Sequence, residues 1–380
     1  MWSSSSQFIN MFSFSLPMHF HGTKLRVVAE ASVVDDAFPS FLPNQVHRIK
    51  DPFARKLAMR IQRLPVTVSF SENPIMSSCV KPLMQDKAAN PVVLLHGFDS
   101  SCLEWRYTYP LLEEAGFEAW AIDILGWGFS DLGKLPSCDV VSKRNHLYQF
   151  WKSHIKRAMI LVGPSLGAAV AVDFAINYPE AVEKLVLIDA SVYAEGTGNL
   201  ATLPRALAYA GVNISILSNL ALLMPFYWGI LYMTMLISTR CFYFFCGGWG
   251  EVSVLKSIPL RVYANYLTFS NISFSISLDW TNIGRLHCLL PWWEDATVDF
   301  MTSGGYNVAS QIKKVTQKTL IIWGENDRII SNKLAVQLHC DLSDAIIRQI
   351  PDCGHLPHVE RPDSVVKFIV EFVKRDQGSK

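Results

Sequence analysis

Ser165 stands in the pentapeptide Gly163-Pro164-Ser165-Leu166-Gly167, which ends an apolar run and opens a stretch of small, helix-compatible residues, so the local sequence reads strand, sharp turn, helix. Such a turn holds its serine at a strained backbone position. Side chains two residues to either side would collide with the helix or the neighbouring strands, and glycine removes that collision. A serine hydroxyl is a poor nucleophile at neutral pH and needs a base within hydrogen-bond reach. Two later segments offer partners: Gly324-Glu325-Asn326-Asp327, where a strand pattern ends in acids, and Cys353-Gly354-His355, which follows the last strand pattern. The pentapeptide by itself also arises by chance in Gly- and Ser-containing loops, so the weight falls on the elements around it.

Those elements alternate. Pro91 to Phe98 is a continuous apolar run of the kind buried on both faces of a parallel sheet, and Cys102 to Ala115 follows with helical character. A second buried run, Phe117 to Leu125, ends in Gly126-Trp127-Gly128-Phe129-Ser130-Asp131; the third is Ala158 to Val162 and the fourth Lys184 to Asp189. Ahead of them, the pattern predicts a surface helix over Pro52 to Arg63 and a strand over Val66 to Phe70 that forms a hairpin toward Val80. The rhythm breaks after Ala190 and resumes at Lys318, followed by a helix over Ile330 to Leu342, a strand over Ala345 to Ile350 and an amphipathic helix over Asp363 to Lys374. This alternation predicts a doubly wound α/β sheet with right-handed crossovers and a site at the C-terminal strand ends.

With 380 residues the chain has room for one large α/β domain of about 250 residues plus additions, or for two smaller ones. Hydrophobic residues make up 50% and charged ones 18%, with mean hydropathy +0.21, which predicts a substantial core. The 34 basic and 33 acidic residues leave a net charge of +1 with no basic footprint, so nucleic acid is not expected as a partner. Eight cysteines form no CxxC, and the nearest pair, Cys241 and Cys246, has no histidine beside it to complete a zinc site. They read as mostly buried thiols in a reducing compartment, with no metal or cofactor expected. Met1 to Ala29 contains six serines, no Asp or Glu, and only Lys24 and Arg26 as full charges. That composition is of the transit-peptide type and predicts a chloroplast address; a tail without an address, in a cytoplasmic protein, is the alternative.

Taken together, His96-Gly97-Phe98, Gly126-Trp127-Gly128-Phe129-Ser130-Asp131, Gly163-Pro164-Ser165-Leu166-Gly167, Gly324-Glu325-Asn326-Asp327 and Gly354-His355 resemble the α/β-hydrolase superfamily in order and in spacing, over residues 91–190 and 311–375. The resemblance implies a mostly parallel sheet with a helical lid inserted after the strand ending near Asp189. The expected divisions are 1–65 as transit peptide and linker, 66–190 and 311–375 as the two parts of the core, and 191–310 as the lid. Ser165 would be the nucleophile, His355 its base and Asp327 the acid that orients the imidazole. The backbone N–H groups of Phe98 and Leu166 would form the oxyanion hole, where each donor is worth on the order of 3 kcal/mol when removed. His358 is a rival for His355, and Glu325 and Asp352 are rivals for Asp327. His96, Asp123 and Asp131 are expected to shape loops. Pro164 departs from the polar residue common before the nucleophile; it suits extended geometry at a strand end and removes a side chain that often lines the pocket. A serine in place of aspartate at position 165 argues against epoxide hydrolase or haloalkane dehalogenase chemistry, which needs a carboxylate there.

Within the expected lid, Ala206 to Thr239 holds 34 residues without one Asp, Glu, Lys, Arg or His, and Leu220 to Ile237 is long and apolar enough to suggest a membrane span. A single span there would put Ser165 and the pair Asp327 and His355 on opposite sides of a bilayer. The expectation is therefore a lid of apolar helices broken near Pro225, which either covers the pocket or also makes peripheral contact with a membrane surface. Trp249, Tyr263, Tyr266, Trp280, Trp292 and Trp293 add aromatic surface, which suits a lipophilic small-molecule substrate. Three functions fit: hydrolysis of an ester or related acyl bond, a ligand-binding receptor on the same fold, and hydrolysis of a carbon–carbon bond. Oligomeric state is not legible.

Overall fold

A computed structural model of the chain describes residues 38–84, 89–196 and 255–374. The acid-poor leader and the apolar run Leu220 to Ile237, with Pro225, lie outside the described residues, as do Cys241, Cys246 and Trp249. Among the described residues no helix is long and apolar enough to cross a membrane.

Eight strands form one sheet: β1 (Ile61–Val66), β2 (Ile75–Val80), β3 (Val92–Leu95), β4 (Ala119–Ile122), β5 (Met159–Pro164), β6 (Val182–Ile188), β7 (Lys318–Gly324) and β8 (Ala345–Ile350). Their spatial order is β1-β2-β4-β3-β5-β6-β7-β8, with β1 and β2 antiparallel and β3 to β8 parallel. Strand order reverses at β3, so the crossovers lie on both faces. The residues alternate accordingly: Val93, Leu95, Leu161, Leu185, Leu187 and Ile321 join one buried cluster, while Val92, Leu94, Ile160, Val162, Val186 and Leu320 join the other. A strand covered on both sides needs apolar residues at every position, and this is why these runs show no polar alternation.

Before the insertion the helices are α1 (Pro52–Ala58), α2 (Thr108–Glu114), α3 (Val140–Phe150) and α4 (Leu166–Asn177); after it come α8 (Asn332–Asp341), α9 (Pro357–Glu360) and α10 (Pro362–Lys374). The described part of the insertion contributes α5 (Ile258–Thr268), α6 (Phe274–Gly284) and α7 (Trp293–Thr302). Gly167 and Ala168 through Ala175 on α4 are all buried, in a run that is apolar except for Asp173, which pairs with Arg144.

Two sequence expectations shift here. The helix from Pro52 stops at Ala58, and the strand expected over Val66 to Phe70 runs instead over Ile61–Val66, paired with Val80 back to Ile75. Pro65 is tolerated because β1 is the edge strand of the sheet. Residues 38–65 are accordingly not a free linker: Val46, Ile49, Ala54, Leu57 and Ile61 are buried in the core, with Asp51 capping α1 by accepting from Phe53 N and Ala54 N.

Lys143 on α3 is fully buried. Its Nζ donates to the Leu125 carbonyl and sits 3.9 Å from the Trp127 ring centroid and 5.0 Å from that of Phe300, so it ties the Gly126-Trp127-Gly128 loop to α3 and α7. Burial pushes its ammonium down to about 8, against the pull of Cys138, Asp299 and Asp139. Between pH 8 and the ordinary lysine value the unfolded chain holds a proton that the folded chain has released, so stability rises with pH through that window. Lys143→Met removes this titration. In urea unfolding, wild type gains on the order of 3 kcal/mol relative to the variant from pH 7 to pH 10.5; parallel pH profiles would refute the charge assignment.

Candidate active site

Ser165 joins β5 to α4 with φ 48° and ψ −120°, outside the regions open to ordinary side chains. A conformation of this kind costs on the order of 1 to 3 kcal/mol. Its N–H donates to the Ile188 carbonyl at 2.9 Å, and its own carbonyl accepts from Ala168 N and Ser191 N, both at 3.1 Å. A Cβ at Gly163 would lie 2.2 Å from the Gly167 oxygen, and one at Gly167 would lie 2.5 Å from the His96 oxygen. Both glycines are therefore required for the strand and helix to approach. Pro164 is the last residue of β5, opposite Ile188.

The loops after β7 and β8 bring Asp327 and His355 into contact, with Asp327 Oδ2 2.8 Å from His355 Nδ1 and side-chain exposures of 0% and 6%. The other carboxylate oxygen accepts from Ile329 N at 2.7 Å and Ile330 N at 3.0 Å. Burial pushes this carboxyl up, but the His355 hydrogen bond and charge and the two backbone donors outweigh it and leave it below the ordinary range. The group is thus an acceptor at neutral pH. Nδ1 of His355 must then carry the proton, which leaves Nε2 with a free lone pair. The backbone N–H of His355 donates to Thr268 O at the end of α5, at 2.7 Å.

The rivals sit elsewhere. His358 Nε2 is 2.9 Å from Glu104 Oε1, and its ring packs on Trp105 at 4.4 Å, both buried. Glu325 is exposed and accepts from the Asp352 backbone N–H at 3.2 Å. Asp123 accepts from Ser78 Oγ, from Phe129 N at 2.9 Å and from Cys102 N at 2.6 Å, so it ties the turn after β4 to β2. Asp131 pairs with Arg63.

In the loop after β3, Ile124 N donates to His96 Nε2 at 3.0 Å, so the proton is on Nδ1, which donates to Gly97 O at 2.8 Å. The peptide linking Gly97 to Phe98 is planar and trans, and fixing its carbonyl on one side aims the Phe98 N–H to the other. Gly97 N is itself held by the Glu104 carboxylate at 3.2 Å. Phe98 N–H has no acceptor among the described residues, and Leu166 is the first residue of α4, where a helix leaves its N–H groups free. A Cβ at Gly97 would be 3.8 Å from that of Ser165, so this loop borders the serine. The Phe98 ring is 37% exposed and packs against Trp127 at 5.3 Å, which in turn packs against Phe300 at 5.0 Å.

The five expected residues therefore gather at one end of the sheet. Asp327 and His355 touch, and no hydrogen bond joins Ser165 Oγ to His355. Sequence reasoning missed Asp189, Glu104 and Asp99. Asp189 is fully buried at the end of β6 with φ 41°, accepts from Gly324 N at 2.9 Å, and has ligand atoms within 4.8 Å of those of Asp327 and His355. Its Oδ2 is buried without a partner. Burial, and then the charge of Asp327, pushes this carboxyl well above the ordinary range and favours the protonated form. The signal was an acid at the end of a buried parallel strand; Glu104 offered none, because it lies inside a helical stretch.

The fold is of the α/β-hydrolase class, and the model of the alpha/beta hydrolase family matches residues 92–368, so the chain belongs to that family. It is 56% identical over 339 residues to the alpha/beta hydrolase domain-containing protein VTE7 of Arabidopsis thaliana, covering 89% of this chain and 91% of the relative. Among solved structures it is similar to a thermophilic esterase from Thermogutta terrifontis, with TM-score 0.57, 18% identity, and coverage of 83% of this chain and 98% of that one. It is also similar to a meta-cleavage product hydrolase from Pseudomonas fluorescens IP01, with TM-score 0.55, 18% identity, and coverage of 80% and 95%.

The raised Asp189 carboxyl has a stability signature. Above the ordinary aspartate value the unfolded chain ionises while the folded chain keeps the proton, so wild-type stability falls as pH rises. Asp189→Asn keeps the shape and the Gly324 bond without a titrating proton. Its unfolding free energy relative to wild type should rise between pH 4 and pH 8; a flat difference would show Asp189 to be ionised in the fold.

Proposed function

We propose that the chain is a serine hydrolase that cleaves an ester or related acyl bond of a lipophilic small molecule through an acyl-enzyme. The observation that carries this reading is the buried Asp327–His355 pair at the ends of β7 and β8, together with a serine held at a strained strand-to-helix turn at the end of β5. In the forward step His355 Nε2 takes the Ser165 proton as Oγ attacks the carbonyl, and the Phe98 and Leu166 N–H groups receive the oxyanion. His355 then gives the proton to the leaving alcohol, and water repeats the sequence to release the acid. Asp327 stays ionised throughout and stabilises the imidazolium. Phe98, exposed and backed by the buried rings of Trp127 and Phe300, supplies an aromatic face suited to an apolar acyl or prenyl group. On this reading residues 191–310 act as the lid and the leader as a plastid transit peptide.

Reaction with a fluorophosphonate probe tests the proposal. Folded wild type should label at Ser165 and heat-denatured protein should not; Ser165→Ala should lose the label. Asp327→Asn should label about 10⁴-fold more slowly, because the imidazole loses the partner that fixes its tautomer. With p-nitrophenyl esters, kcat/KM should rise from acetyl to longer acyl chains. Unlabelled folded wild type would sink the enzyme reading and favour a binding protein on the same fold.

A further inference from the structure

Asp99 follows Phe98 directly, and it is the point where the insertion grips the β3 loop. It is a non-glycine residue in the left-handed region, with φ 49°, a conformation that L side chains adopt only where their surroundings hold it. Three separate segments of the insertion do so. Trp293 Nε1 of α7 donates to Asp99 Oδ1 at 2.7 Å, Arg261 of α5 donates to Oδ2, and His287 Nε2 donates to the Asp99 carbonyl at 3.0 Å. Arg261 is anchored in turn: its Nε donates to Leu255 O at 2.8 Å and another nitrogen donates to Gly284 O at 3.1 Å. Asp99, His287 and Trp293 are buried.

Asp99, His287 and Cys288 come close enough together to suggest a metal site. The cation in this cluster is already the guanidinium, which donates to Asp99 and also to Cys288 Sγ at 3.0 Å. Burial raises the Asp99 carboxyl, and the charge of Arg261 followed by the Trp293 N–H offsets only part of that rise.

We infer that Asp99 is a positioning residue through which the insertion sets the oxyanion hole: Arg261 and Trp293 hold the left-handed turn at Asp99, and that turn fixes the downstream end of the residue whose N–H receives the oxyanion. Phe98 is thereby bracketed, with His96 holding the peptide before it from the core side and Asp99 holding the one after it from the insertion. This rests on the serine-hydrolase reading above. A donor misplaced by about 1 Å can cost on the order of a hundredfold in rate with little change in ground-state binding, because the oxyanion exists only beyond the ground state.

The test uses the full-length chain and four variants, with p-nitrophenyl octanoate as substrate and a long-chain alkyl trifluoromethyl ketone as the analogue that forms an oxyanion on Ser165. Asp99→Asn should lower kcat about a hundredfold with KM changed less than threefold, and should weaken the ketone by the same factor as kcat/KM. Trp293→Phe deletes one N–H without stranding a charge and should lower kcat about tenfold, so the test stands if Asp99→Asn folds poorly. Arg261→Lys keeps the charge but not the planar fork, and should recover only part of the activity lost in Arg261→Gln. Urea unfolding at the assay temperature gives the folded fraction used to normalise each rate. Variants that match wild type in kcat and ketone affinity overturn the inference, as do losses that vanish on normalisation. Wild type that neither labels with fluorophosphonate nor turns over any ester overturns the hydrolase reading, and this inference with it.

Discussion

The turn at Ser165 can form only where two flanking residues have no side chain, and much of the site is arranged around that steric fact. With Gly163 and Gly167 bare, α4 starts directly at the end of β5 and its first N–H groups point at the serine side of the sheet. The same closeness brings the His96 carbonyl against Gly167, so the loop after β3 is set by the elbow as much as by its own sequence. The hydrogen bond from Ser165 N to Ile188 O then registers the serine against the end of β6, where Asp189 accepts from Gly324 at the end of β7. Serine and acid are thus joined through adjacent strand ends and do not depend on the loops happening to fold together.

Around that turn, carboxyl groups of one chemistry take different states. Asp327 has a histidine and two backbone donors, and these outweigh its burial; it is an anion. Asp189 has one backbone donor and a negative neighbour; it favours the neutral acid. Glu104 is buried, yet the hydrogen bond and charge of His358 lead the effects that outweigh that burial and hold it below the ordinary carboxylate range, so it keeps its grip on Gly97 N. The sorting follows from donor count and nearest charge, not from depth alone. It also explains why His355 and His358, three residues apart, end differently: one faces an acid at the strand ends, while the other is spent on Glu104 and stacked on Trp105.

The sequence carried those parts of the fold whose signal is local. Unbroken apolar runs marked β3 to β7 because both faces are covered, and Gly163 to Gly167 marked the elbow because its sterics need those glycines. Asp327 and His355 were legible from their place after strand patterns. The edge was harder to read: Ile61–Val66 is half-exposed and contains Pro65, so its pattern resembled the end of a helix. Glu104, Asp99 and Arg261 were not legible, since their roles come from partners many residues away; Arg261 meets Asp99 across 162 positions. Nothing in the residues near Asp99 announces that distance. Pro164, the clearest departure in the sequence, proved compatible with its strand and left the serine geometry intact.

The insertion binds both halves of the site, and α5 shows how. Arg261 near its start holds the Asp99 loop, while Thr268 at its end accepts from the His355 N–H. Seven helical steps separate the two, about 10 Å along the axis, and a hydrogen-bonded helix changes length very little. Just beyond Thr268, Ser270 N donates to the Glu360 carboxylate, which also takes Gly354 N at 2.8 Å, so the loop carrying the histidine is held from two directions. One helix therefore ties together the loop next to the Phe98 N–H and the loop bearing His355, while Ser165 is placed independently by β5 and α4.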